Sequence, residues 1–205
     1  MRIESQEQTD AVLVEAAQQG RLDSFGALYQ RYHNPIVALA YAQLGDKHTA
    51  EDAAQEVFAI ACRDLRSLRE RDKFGAWLGG ICRNVTRQML RTRTRTVPLS
   101  GGDARFCVAA DGADGAAAQT PGSSDELRRA EQQEQRDAVR RAVWQLPEAD
   151  RELVVMRYFN GFSQARISQV LDLTPAAVNG RLTRAKRKIA ELLERSGFGS
   201  SSWDA

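Results

Sequence analysis

Apolar residues recur at helical spacing along most of this chain, and the recurrence lapses at length only between Val97 and Ser124. No segment alternates convincingly with the period of two that a half-buried strand requires, so the pattern points to packed helices on either side of one interruption. A first helix is expected from about Asp10 to Gln19, stopped by Gly20. A second starts near Asp23 and carries Phe25, Leu28, Tyr29 and Tyr32; Pro35 either kinks it or opens a further stretch, and Gly45 ends it. A third is expected from Thr49, where Thr49 and Asp52 resemble a capping box with Asp in place of Glu, and it places Ala53, Val57, Ala61 and Leu65 at helical spacing. A fourth runs from after Asp72 to about Thr94.

Gly, Ala, Ser, Asp and Pro dominate from Val97 to Ser124, the composition of a flexible linker. Helices return at about Asp125 to Gln145, Glu148 to Tyr158, Ser163 to Leu171 and Pro175 to Glu194, with Pro147 breaking the first of these. The expected architecture is therefore all-α: two small helical domains, about 1–96 and 125–196, joined by a linker over 97–124 and followed by a tail, 197–205.

A net charge of +2 conceals a strong asymmetry. Ile81 to Thr96 holds Arg83, Arg87, Arg91, Arg93 and Arg95 and no acid. Ser163 to Ala190 is also basic, with Asp172 its only acid, whereas Asp103, Asp111, Asp114, Asp125 and Glu126 make the intervening stretch acidic. Two basic blocks separated by an acidic linker suggest two contacts with a polyanion. The polar N-terminus lacks the features of a signal or transit peptide, and no run of about 18 apolar residues suggests a membrane span. The expected location is the cytoplasm. Cys62, Cys82 and Cys107 form no CxxC and have no nearby His pattern, so reduced, mostly buried thiols are expected, with no metal and no cofactor.

Ser163 to Ile189 has the grammar of a helix-turn-helix. Ile167 and Val170 lie on a short helix, Leu171-Asp172-Leu173 forms the turn, Thr174 suits an N-cap and Pro175 the first helical position. On the next helix Val178, Leu182, Ala185 and Ile189 form a core face. Gly180, Thr183, Arg184 and Arg187 lie opposite, flanked by Asn179 and Lys186 on one side and by Arg181 and Lys188 on the other. Short and basic side chains suit a helix in the DNA major groove, where Arg pairs with guanine, Asn with adenine and a Thr methyl touches thymine. The plainer reading is a solvated amphipathic helix whose basic end complements its dipole. The preceding short helix and tight turn favour DNA.

In the N-terminal half, Asp52, Gln55 and Glu56 share a helix whose other side is apolar. No His joins the carboxylates and no Gly-rich phosphate loop accompanies them, so a polar surface for a partner, or for water, is a better reading than catalysis. The following helix carries Phe74, Trp77, Leu78, Ile81 and Val85 on one side. Arg83, Arg87 and Arg91 repeat every four residues on the other, beside Asn84, and no acid at four-residue spacing neutralises them. Such a row repels itself and is better tolerated against phosphates.

Together these patterns resemble the extracytoplasmic-function (ECF) sigma factors of the sigma-70 family. Glu51-Asp52-x-x-Gln55-Glu56-x-Phe58 is similar to that family's region 2.2, and Phe74-x-x-Trp77-Leu78-x-x-Ile81-x-x-Asn84 to regions 2.3 and 2.4. Leu146-Pro147, Arg157-Tyr158 and Val178-x-x-Arg181-Leu182-x-Arg184-Ala185 are similar to region 4. The resemblance implies a non-enzymatic initiation factor that brings core RNA polymerase to promoters. It implies that Asp52, Gln55 and Glu56 bind the polymerase β′ clamp helices and that the region 4 domain meets the β flap. It implies that the loop from about Arg66 to Lys73 captures a flipped base of the −10 element, and that Arg83, Asn84, Arg87 and Arg91 hold the melted strand. Asn179, Gly180, Arg181, Thr183, Arg184 and Arg187 would read the −35 element. The family more often has a basic residue followed by Ser at Asn179-Gly180, so the usual −35 sequence does not transfer. An anti-sigma factor is an expected regulator. The competing reading is a stand-alone helix-turn-helix regulator, which accounts for the C-terminal half but not for the arginine row after an acidic-polar helix.

Overall fold

The computed structural model describes residues 8–96 and 123–198, and every regular element among them is helical. The first unit comprises α1 (Asp10–Gln18), α2 (Leu22–Leu44), α3 (Lys47–Asp64) and α4 (Phe74–Thr96), with two short 3₁₀ turns, Leu65–Ser67 and Arg71–Lys73, between the last two. The second comprises α5 (Ser123–Trp144), α6 (Glu148–Val154), α7 (Gln164–Leu171) and α8 (Pro175–Arg195). The expected linker, Val97 to Ser124, lies outside the described residues except at its end, as does most of the expected tail.

In the first unit α2 packs against α1, α3 and α4 and buries Leu28, Tyr32, Ile36 and Leu39 completely. This explains how α2 runs through Pro35. An interior proline costs about 3 kcal/mol, whereas burying Ile36 and Leu39 contributes about 1.5–3 kcal/mol each. Gly45 then ends the helix in the left-handed conformation (φ 75°), its amide donating to the Tyr41 carbonyl at 2.9 Å.

α3 begins earlier than its sequence suggests. The N-cap is Asp46, whose carboxylate accepts from the Thr49 amide at 2.8 Å and also from the Thr49 hydroxyl. Thr49 is thus the residue being capped, because the Asp46 carboxylate reaches the free amide first. The Thr49 hydroxyl and then its amide hold the Asp46 carboxyl below its ordinary value of 3.8.

In the second unit α8 packs against α5, α6 and α7. Leu153, Met156, Ile167, Val170 and Val178 are buried at its centre, and Ala138, Ala142, Leu192 and Leu193 join α5 to the end of α8. The helix expected to run to Tyr158 changes character after Val154, where Val155–Phe159 forms a π-turn. The wider turn keeps Val155 and Met156 buried while Tyr158 and Phe159 are half exposed. Arg157 secures it by donating to the Phe162 carbonyl at 3.0 Å.

The two units do not stand apart. One continuous apolar cluster extends from Leu13 and Val14 to Leu182 and Ala185. α4 lies against α7, and α2 against α6. At one edge Arg151 donates to the Ala42 carbonyl at 2.6 Å and stacks over Trp144 at 4.6 Å.

Cys82 is buried, but Cys62 is exposed, against the expectation of mostly buried thiols: it falls on the outer side of α3 between Ala61 and Arg63. Cys107 lies outside the described residues.

Asp46→Ala is expected to cost about 1 kcal/mol in urea unfolding, with Asp46→Asn retaining most of the cap. Because folding lowers this carboxyl's pKa, its contribution is present above 3.8 and is lost as pH falls through the lowered value. Equal stability of wild type and Asp46→Ala at neutral pH would remove Asp46 as the cap.

Candidate nucleic-acid and partner interfaces

The turn between α7 and α8 is built from local bonds. Ser163 caps α7 through the Arg166 amide at 3.2 Å, and Thr174 caps α8 through the Ala177 amide at 3.2 Å. Asp172 links them in the left-handed conformation (φ 54°), and the Leu173 amide closes onto the Ser168 carbonyl at 3.1 Å. Asp adopts this conformation more readily than most residues, because its short polar side chain bonds locally. Pro175 follows at the first helical position, as its sequence predicts.

This geometry fixes which side of α8 faces out. Val178, Leu182 and Ala185 are buried. Asn179, Thr183, Arg184, Lys186, Arg187 and Lys188 are exposed, while Gly180 and Arg181 are half-buried. Thr183 donates its hydroxyl to the Asn179 carbonyl at 3.0 Å, so that group is already engaged within the helix. Glu191, one turn on, lies 3.5 Å from Lys188 and 3.9 Å from Arg187, exposed pairs that add little stability. The result is a convex, cation-rich face with side chains able to meet phosphates and base edges.

On α3, Asp52, Gln55 and Glu56 are all exposed, while Ala53, Ala54, Val57 and Phe58 anchor the opposite side in the core. Among the described residues no group of three or more His, Cys, Asp or Glu is placed to hold a metal ion. Asp52, Gln55 and Glu56 form an exposed polar strip along α3.

The α4 row divides. Asn84, Arg87 and Arg91 are exposed, but Arg83 is only 26% exposed and turns toward α6. Its Nη2 lies 3.0 Å from Oε2 of Glu152, and its Nε donates to Oε1 at 3.3 Å. Glu152 is 3% exposed and accepts a further bond from Gln43 at 2.7 Å, and the Gln43 side-chain oxygen in turn accepts from Thr86. Burial works against the Arg83 charge, but the Glu152 carboxylate more than offsets it and raises the guanidinium pKa. Burial, reinforced by Glu152, pushes the neighbouring Cys82 thiol up to about 12.

Glu152 is the residue that sequence reading missed. Its signal was an acid three and four residues before the apolar Val155 and Met156, on the face those residues bury. Near α4, the turn residues Leu68, Arg69 and Lys73 line a hollow with Trp77 and with Asp172 from the other unit.

Comparison with known proteins places these surfaces in context. Residues 28–96 match the family described as Sigma-70 region 2, and residues 136–189 match Sigma-70, region 4. The ECF RNA polymerase sigma-E factor of Escherichia coli K12 is 32% identical over 187 residues, covering 90% of this chain and 94% of the relative. The probable RNA polymerase sigma factor RfaY of Xanthomonas campestris is 33% identical over 177 residues, which span 86% of this chain but 42% of that longer protein. The structure of CnrH in complex with the cytosolic domain of CnrY is similar in fold, with a TM-score of 0.55, 24% identity, and coverage of 92% of this chain and 99% of that one.

A Cβ placed on Gly180 would meet nothing within 4 Å. Gly180→Ala is therefore expected to stabilise α8 by roughly 0.5–1 kcal/mol in urea unfolding, the ordinary gain in an open helix interior. A loss of stability would show that the position is packed.

Proposed function

The chain belongs to the ECF sigma factors of the sigma-70 family, and from that premise we propose that it brings core RNA polymerase to promoters through separate contacts from its two helical units. The observation that carries this reading is the pairing of an outward cation-rich recognition helix, α8, with a second cationic helix, α4, in the other unit. Residues 1–96 act as the region 2 domain, 125–196 as the region 4 domain, and 97–124 as the linker between them. Asp52, Gln55 and Glu56 offer acceptors to the β′ clamp helices, and the region 4 domain meets the β flap. Asn84, Arg87 and Arg91, joined by Arg83 once it is released from Glu152, hold the melted −10 strand. The hollow beside Trp77 takes an unpaired base, and trapping unpaired bases drives melting without ATP.

Asn179, Gly180, Arg181, Thr183, Arg184 and Arg187 read the −35 element in the major groove. The open space at Gly180 supports close approach of DNA to the helix backbone. The chain itself performs no catalysis; the polymerase supplies the chemistry, in the cytoplasm. An anti-sigma protein is the proposed regulator.

Arg184→Ala is expected to weaken −35 binding by about 1–3 kcal/mol and to relax preference at one base pair. An equal loss on every sequence would make Arg184 a phosphate contact instead. Asp52→Ala combined with Glu56→Ala is expected to reduce core polymerase affinity without changing the unfolding curve, and unaltered affinity would remove both from the interface. Footprinting separates this reading from that of a stand-alone regulator. A two-part footprint that requires core polymerase supports the sigma reading, whereas a palindromic footprint by the protein alone supports the other.

A further inference from the structure

The loop between α3 and α4 has little regular structure of its own. The Leu68 amide closes one 3₁₀ turn onto the Leu65 carbonyl at 3.1 Å, the Lys73 amide closes the other onto the Glu70 carbonyl at 3.0 Å, and Leu68 to Glu70 belong to no regular element. α1 holds this loop from outside. Gln18, the last residue of α1, donates its side-chain amide to the Leu65 carbonyl at 3.0 Å and to the Leu68 carbonyl at 2.9 Å. Its side-chain oxygen accepts from Nε of Arg71 at 3.0 Å. Both amide hydrogens and the oxygen of Gln18 are thus engaged, at positions spread along the loop. Glu15, earlier in α1, accepts from Nη1 of Arg71 at 2.9 Å. The other end of α1 is fixed too, because Asp10 accepts from Arg31 at 2.5 Å and from the Tyr32 hydroxyl, both on α2.

Leu68 and Arg69 line the hollow beside Trp77, whereas Gln18 and Arg71 do not. The Gln18 bonds therefore act on the backbone that carries the lining side chains, without entering the hollow. We propose that Gln18 is a positioning residue for base capture: it holds the loop in the shape that admits an unpaired base and touches no DNA itself. This rests on the reading of the hollow as a base site; the pinning of the loop does not. The chemistry selects glutamine. Two carbonyl acceptors and a guanidinium donor call for N–H donors and an acceptor on one planar group, and Glu lacks the donors while Lys lacks the acceptor. A loop already held in its binding shape binds more tightly than one that must be ordered on contact. Arg71 is drawn away to Gln18 and Glu15, which leaves Arg69 and Lys73 as the loop cations lining the hollow.

Two variants of the full chain test this. Gln18→Met keeps an unbranched, helix-favouring side chain and removes every Gln18 bond to the loop. Gln18→Glu keeps the acceptor for Arg71 and removes both donors, and it decides the matter should Gln18→Met fail to fold in urea unfolding. Arg66, Arg69, Arg71 and Lys73 make the loop a trypsin target. Both variants should be cut there about tenfold faster than wild type, the order of one net hydrogen bond. The second readout is one that a merely structural role would not move. Holoenzyme, assembled from core polymerase and the full chain, is titrated into labelled single-stranded oligonucleotides carrying the −10 sequence that wild type selects from a random-promoter library, each with one abasic position. Wild type should lose most affinity where the captured base is missing. In the variants that one position should cease to matter, with affinity for the intact oligonucleotide lower by about tenfold and the other positions behaving as in wild type. Cleavage at the wild-type rate in both variants would overturn the pinning. Faster cleavage with an equal loss at every position, or with no loss, would overturn the positioning role. Run-off transcription by wild type checks the sigma reading separately, so faster cleavage without promoter-dependent transcripts would overturn base capture alone.

Discussion

The way the two helical units meet depends on one buried carboxylate. Glu152 is almost wholly removed from water and is held by Gln43 from α2 and by two guanidinium nitrogens of Arg83 from α4. Removing one partner from a buried pair costs about 3–5 kcal/mol because the other charge is stranded, while the intact pair contributes far less net. At this site the low end applies, since Arg83 retains 26% exposure. Such a bond specifies an arrangement more strongly than it stabilises one. The surrounding contacts obey the same geometry: the glycines of α4 admit the carbonyls of α7, and Arg151 ties the end of α2 to the turn after α5.

That arrangement gives the sequence a double economy. The cationic row on α4 has no acid at helical spacing to neutralise it within its own helix. The acid that neutralises Arg83 arrives instead from α6, a distant segment. α8 turns its exposed basic face outward.

Much of the helical framework was legible because it rests on local signals. Pro175 and Thr174 marked the start of α8, Gly45 the end of α2, and the spacing of Val178, Leu182 and Ala185 the buried face. What escaped depended on contacts remote in sequence or on competition between neighbours. The sequence pattern places the start of α3 at Thr49, and the cap proves to be Asp46, whose carboxylate reaches the Thr49 amide. Pro35 inside α2 is tolerated through packing that no local rule counts. The exposed residues of α3 and α8 were readable as surfaces because their helices are amphipathic. The pairing of Arg83 with Glu152 was not, since charge pattern within a segment says nothing about which distant acid folds against it.

The chain is a two-unit sigma factor that directs transcription initiation. The most direct test is run-off transcription from a random-promoter library by core RNA polymerase, with and without this protein. Transcripts that start downstream of a shared two-part motif, and only when the protein is added, are the predicted result. Identical transcripts with and without it, from a folded protein that binds DNA specifically on its own, would contradict the account.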